Sequence, residues 1–73
     1  RLFAAGTRRI AQKVGEEGVE TALAAVTEED AKLVGESADL LFHLAVLLKA
    51  RGLSLRAVIA ELESRHAART GTA

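Results

Sequence analysis

Residues 40 to 48 read LLFHLAVLL, a run in which His43 alone is polar, with Asp39 before it and Lys49 after it. No other stretch narrows the choice of folds as much. Wound as an α-helix, the run is apolar on every side, and such a helix has to be buried on every side. It is shorter than the roughly 20 apolar residues of a membrane span, and charges flank it. A chain of 73 residues holds one domain whose core is marginal on its own. Three helices of that total length cannot wrap a central helix. We therefore expect an all-α helical bundle completed by at least homodimerisation.

The rest of the chain agrees with helix. It has no proline, and no segment alternates apolar with polar at period two. Leu2 to Ala5 ends at Gly6 and predicts a short N-terminal helix over about 2–5. Thr7 is a good N-cap for a long helix over about 8–25, in which Ile10, Val14, Val19 and Leu23 supply apolar positions, with Val26 just beyond. Thr27-Glu28-Glu29-Asp30 has the T-x-x-D form of a capping box and opens a second long helix over about 28–51, antiparallel to the first through the Val26-Thr27 turn. Gly52 suits the C′ position of that helix. Ser54 then caps a third helix over about 54–66 with Val58, Ile59 and Leu62 on its inner face, and the tail from Arg69 to Ala73 is expected to fray. Residues 1–73 read as a single domain without repeat or linker.

Composition removes several function classes. There is no cysteine, so neither a disulfide framework nor a thiolate metal site can support so small a core, and a reducing cytoplasm is the expected home. Oxygen-ligated metal or oligomerisation is left to do so. Ten basic residues balance ten acidic ones, which gives no footing for a general nucleic-acid or membrane-surface binder. A hydrophobic content of 49% argues against disorder. With no signal peptide and no spanning segment, the chain is expected to be soluble. It has no methionine even at position 1, which leaves room for an upstream segment.

The acidic residues are distributed unevenly. At 100° per residue, Glu16, Arg9, Glu20, Lys13 and Glu17 fall at about 0°, 20°, 40°, 60° and 100°, on one side of the first long helix. Gly15 and Gly18 interrupt the same stretch, KVGEEGVE, at a cost of about 1 kcal/mol each against alanine. On the second helix Glu36 and Asp39 are neighbours at i,i+3, with His43 between their azimuths one turn on. Antiparallel packing through the short turn would bring both acidic stripes to one groove. Five carboxylates there would repel strongly without a cation. Oxygen-only ligation selects a hard cation, and Mg²⁺ takes one or two carboxylates with water and phosphate oxygens. Small residues at Gly15 and Gly18 would let helix backbones approach closely. The plainer reading, a solvated acidic face with Lys13–Glu17 as an ordinary i,i+4 pair, accounts for any one of these residues alone. Glu28, Glu29 and Asp30 illustrate it, since the helix dipole favours acids in a first turn.

Glu16-Glu17-x-x-Glu20 followed by Glu36-x-x-Asp39 matches the EExxE…ExxD signature of the all-α NTP pyrophosphatase (MazG-like) superfamily. The surrounding LFAAGTRRIAQKVGEEGVETALAA, ESADLLFHLAVLLKARGLSL and VIAELESRH more narrowly resemble the phosphoribosyl-ATP diphosphatase family of histidine biosynthesis, from Leu2 to His66. The resemblance implies hydrolysis of the α–β phosphoanhydride of 1-(5-phosphoribosyl)-ATP to phosphoribosyl-AMP and pyrophosphate, the second step of that pathway, with Mg²⁺ as cofactor. It implies a cytoplasmic homodimer as well. Carried over by position, Glu16, Glu17, Glu20, Glu36 and Asp39 become the metal-binding and catalytic acids, Lys13 a phosphate contact through the family's KxxEE pattern, and Arg9 a weaker one. The family pattern begins before Arg1 with a Ser/Thr-containing segment. It often has tyrosine where this chain has Phe42, so no hydroxyl-dependent role attaches there.

Phosphoryl transfer needs charge neutralisation and alignment more than covalent help, which carboxylates, metal and an oriented water supply. There is no GxxxxGK[ST] loop to cradle phosphates instead. Two other readings are weighed against the diphosphatase: a related nucleoside triphosphate pyrophosphatase, and a non-catalytic helical dimerisation module with a solvated acidic face. His43 reads first as a hydrogen-bonded core residue, and otherwise as a partner to Glu36 or Asp39. Glu63 and His66 form one E-x-x-H, whereas a di-iron bundle needs two such pairs and two further glutamates.

Overall fold

The computed structural model describes the backbone of residues 2–27 and 29–72, and the side chains of 6–27 and 29–69. Three α-helices follow one another: α1 (Leu2–Thr27), α2 (Asp30–Ala50) and α3 (Leu55–Thr72). Among the described residues there is no strand, as the absence of period-two patterning implies.

Helix α1 runs unbroken through Gly6 and Thr7, so the separate helix over about 2–5 and the N-cap at Thr7 are not formed. A glycine costs a helix about 1 kcal/mol, against about 3 for proline. Strong helix formers on both sides outweigh that cost.

The junction between α1 and α2 also differs from the capping-box reading. Thr27 belongs to α1, and its hydroxyl donates to the Leu23 carbonyl at 2.6 Å, a back-bond within the last turn. Glu29 is the N-cap of α2, with extended backbone and no side-chain cap bond. Its carbonyl accepts from the amides of Lys32 at 3.0 Å and Leu33 at 3.1 Å. Glu28, where the second helix was expected to begin, lies outside the described residues.

The far end of α2 closes as expected. Gly52 has φ of 75°, in the left-handed region that favours glycine. Its amide donates to the Lys49 carbonyl at 2.9 Å, and the Leu53 amide donates to the Leu48 carbonyl at 2.8 Å. This pair of bonds is the Schellman motif. Ser54 Oγ accepts from the Ala57 amide at 3.2 Å and caps α3. Helix α3 continues to Thr72, past the expected end near 66.

Helices α1 and α2 lie against one another along their length. Gly6, Thr7 and Ile10 line one recess with Val46, Lys49 and Ala50, while Glu20, Leu23 and Ala24 line another with Lys32 and Glu36. The pairings run in opposite order along the two helices. Among the described residues, helix α3 meets α2 and not α1. Val58 is half-buried, but Ile59 and Leu62, expected on an inner face, stay exposed. The two-residue link Leu53-Ser54 after the left-handed Gly52 carries α3 away from α1 rather than over it. The chain is thin, with extents of 43 × 38 × 14 Å.

Candidate functional site

Among the described residues two are buried, Ala24 at 3% and Glu17 at 6% relative exposure. A carboxylate is thus better shielded from water than any described leucine or valine. Ionised groups are among the last a fold buries without a partner. The partner is His43 of α2, whose Nδ1 lies 2.7 Å from Glu17 Oε1. The Asp39 carbonyl lies 3.2 Å from the same nitrogen. Both neighbours are acceptors, so the hydrogen sits on Nδ1 and that nitrogen donates. Phe42 meets the His43 ring edge-on, with centroids 5.1 Å apart. On the other side Lys13 Nζ lies 3.9 Å from Glu17 Oε2.

One turn along α1, Glu20 faces a recess of about 230 Å³ between the helices, shared with Glu36 and Lys32 of α2 and floored by Leu23 and Ala24. Lys32 Nζ lies 3.6 Å from Glu36 Oε2. Its ammonium offsets the repulsion between two carboxylates that share one opening. Sequence reasoning passed over Lys32. The available signal was its spacing, four residues before Glu36 on the same face.

The five acids singled out from the sequence therefore divide. Glu17, Glu20 and Glu36 come to the seam between α1 and α2. Glu16 is exposed and accepts a hydrogen bond at 2.9 Å from Gln12 Nε2, and Asp39 is exposed as well. Lys13 pairs with Glu17, whereas Arg9 is exposed without an ion pair among the described residues. His43 bonds across to Glu17, rather than to the side chain of Glu36 or Asp39. Azimuths on one helix could not show this, because the partner sits on the other.

Gly15 and Gly18 do not serve close packing of α1 on α2. A Cβ built at either meets nothing within 4 Å.

The donors present fit a hard divalent cation. They are carboxylate oxygens without a thiolate, and Glu20 and Glu36 open onto one recess. No three acids or histidines among the described residues gather closely enough to hold an ion by themselves. Mg²⁺ does not require it, since one or two carboxylates suffice when water and phosphate oxygens complete the octahedron.

Fold and site define a small all-α protein whose packed helix pair carries acidic side chains along its seam, Glu17 beside His43 and Lys13 and Glu36 beside Lys32. Residues 1–66 match the family described as phosphoribosyl-ATP pyrophosphohydrolase, and the chain belongs to that family. Over 66 residues it is 71% identical to the histidine biosynthesis bifunctional protein HisIE of Xanthomonas campestris pv. campestris, covering 90% of this chain and 32% of that protein. The proteins of the same name from Xylella fastidiosa (strain Temecula1) and Vibrio vulnificus (strain YJ016) are 68% and 62% identical over 65 residues, covering 89% of this chain and 32% and 31% of theirs. The chain thus spans about a third of the length of the curated relatives it matches.

Proposed function

We propose that this chain hydrolyses the α–β phosphoanhydride of 1-(5-phosphoribosyl)-ATP, releasing pyrophosphate and leaving phosphoribosyl-AMP, in histidine biosynthesis. Family membership over residues 1–66 supports the substrate. The observation that carries the site is the burial of Glu17 against His43, with Ala24 the one other buried residue among those described. A fold that leaves Val19, Val26 and Val34 exposed and encloses a carboxylate has placed that group for a purpose other than packing.

Glu20 and Glu36, which share the recess, are the carboxylates we assign to Mg²⁺, with Glu17 beside them and Glu16 and Asp39 joining on substrate binding. When bound, the ion neutralises triphosphate charge and orients a water. Lys32 holds Glu36 until then. Lys13, half-exposed at the rim, is placed to exchange its contact with Glu17 Oε2 for a phosphate oxygen. Arg9, one turn before it on the same side and exposed, is the second cation available to the substrate. A carboxylate freed from its basic neighbour takes the proton of the attacking water.

The working form in this reading is a cytoplasmic homodimer in which two antiparallel α1–α2 pairs form one bundle. Exposed Val19, Val34, Leu41 and Phe42 support it. No helix among the described residues is long and apolar enough to cross a membrane.

The test is pyrophosphate release from phosphoribosyl-ATP, with ATP and dUTP as controls, each with and without Mg²⁺. Mg²⁺-dependent turnover of phosphoribosyl-ATP alone is expected. Preference for another nucleotide would overturn the substrate, and no release from any of them would overturn the activity.

A further inference from the structure

The acid with the most developed surroundings is Glu17, and its surroundings come from α2. We propose that His43 is a positioning residue for Glu17, fixing one carboxylate oxygen so that the other is presented to the cation and phosphate. The inference rests on the metal-dependent reading above and adds to it a residue that the acidic motif does not contain.

The geometry runs in one direction from backbone to carboxylate. The Asp39 carbonyl and Glu17 Oε1 are both acceptors on Nδ1, at 3.2 and 2.7 Å, which sets the tautomer and the ring orientation together. Phe42 stands edge-on to the ring, and the His43 side chain is 26% exposed. The Nδ1 hydrogen occupies Oε1. Oε2 carries no bond to His43, and it lies 3.9 Å from Lys13 Nζ. A glutamate has three rotatable bonds to order before it can ligate. Burial and the bond from His43 order it beforehand, as partners behind a metal's own ligands do elsewhere.

A packing role alone would need the same cross-helix hydrogen bond, and the choice of variants separates the two roles. In His43→Asn the amide Nδ2 stands near the place of Nδ1, so a donor to Glu17 is kept. In His43→Gln the amide lies one bond farther out, and in His43→Leu there is no donor. The readout is binding of Mn²⁺ alone to the full chain, followed by the free-ion electron paramagnetic resonance signal, with helical content checked by circular dichroism. Leu and Gln are expected to weaken Mn²⁺ about 10- to 100-fold, and Asn to recover most of the loss. If the Leu variant loses helix, Asn against Gln still decides. Wild-type affinity in the Gln variant, or equal weakening in Asn and Gln, overturns the positioning role while leaving the metal reading intact. A wild-type chain that does not take up Mn²⁺ overturns both.

Discussion

Glu17 and Glu20 sit one turn apart on α1 and differ in what surrounds them. Glu17 is enclosed, with His43 on one oxygen and Lys13 near the other, whereas Glu20 is exposed at the mouth of a recess. Replacements at the two positions should separate chemistry from stability. Glu20→Gln is expected to lower turnover on the order of 100-fold while leaving the melting temperature of the metal-free chain unchanged or higher, because a charge beside Glu36 is removed. Glu17→Ala should lower turnover similarly and also destabilise by about 1–3 kcal/mol, since the His43 donor loses its nearer acceptor inside the seam. Steady-state kinetics and thermal melts on the same samples check both. Full activity in Glu20→Gln would return the acidic stripe to a solvated face.

At the scale of the element, two glycines with opposite roles make a matched pair. Gly52 holds φ of 75° and supplies the turn that ends α2 and sends α3 outward. A Cβ there strains the backbone, so Gly52→Ala is expected to cost about 1–2 kcal/mol, a fall of about 4–8 °C in Tm for each 1 kcal/mol in a domain this small. Gly15 is interior to α1, and an added Cβ would meet nothing within 4 Å. Gly15→Ala should therefore stabilise by up to about 1 kcal/mol. A loss of stability instead would mean that another chain packs against that face. The unbroken course of α1 through Gly6 follows the same arithmetic, since a flexible residue lowers helix stability without stopping the helix where its neighbours favour it.

The whole chain is more open than a stable monomer should be. Its radius of gyration is 15.1 Å, against about 11 Å for a compact domain of 73 residues. No residue of α2 is buried, and Leu41 and Phe42 remain 52% and 62% exposed. Association through this surface is the proposed remedy. Sedimentation equilibrium should return at least twice the chain mass at micromolar concentration, and Tm should rise with protein concentration. Leu41→Asp should shift the mass towards the monomer and lower Tm. A monomeric chain with a sharp, concentration-independent melt would sink the dimer.

Helix content, the cap at Ser54 and the C′ role of Gly52 were legible without coordinates because each depends on residues within a turn of one another. The acidic stripes were legible too, since azimuth on one helix follows from spacing alone. Which acids come together was not. Glu17 finds His43, and Glu20 finds Glu36 beside Lys32, only when α1 and α2 pack in a particular register and rotation, and side chains far apart in sequence set both. The direction of α3 depended likewise on the bend at Gly52, whose effect on Ile59 and Leu62 no local pattern records. Short-range propensity and periodicity thus determined the helical class, the turn at Gly52 with the cap at Ser54, and the candidate acids, but not the unbroken course of α1 through Gly6 or the start of α2. The partner of each acid, and which of them is hidden from water, was decided by packing between helices, where a rotation of one residue moves every side chain by about 100°.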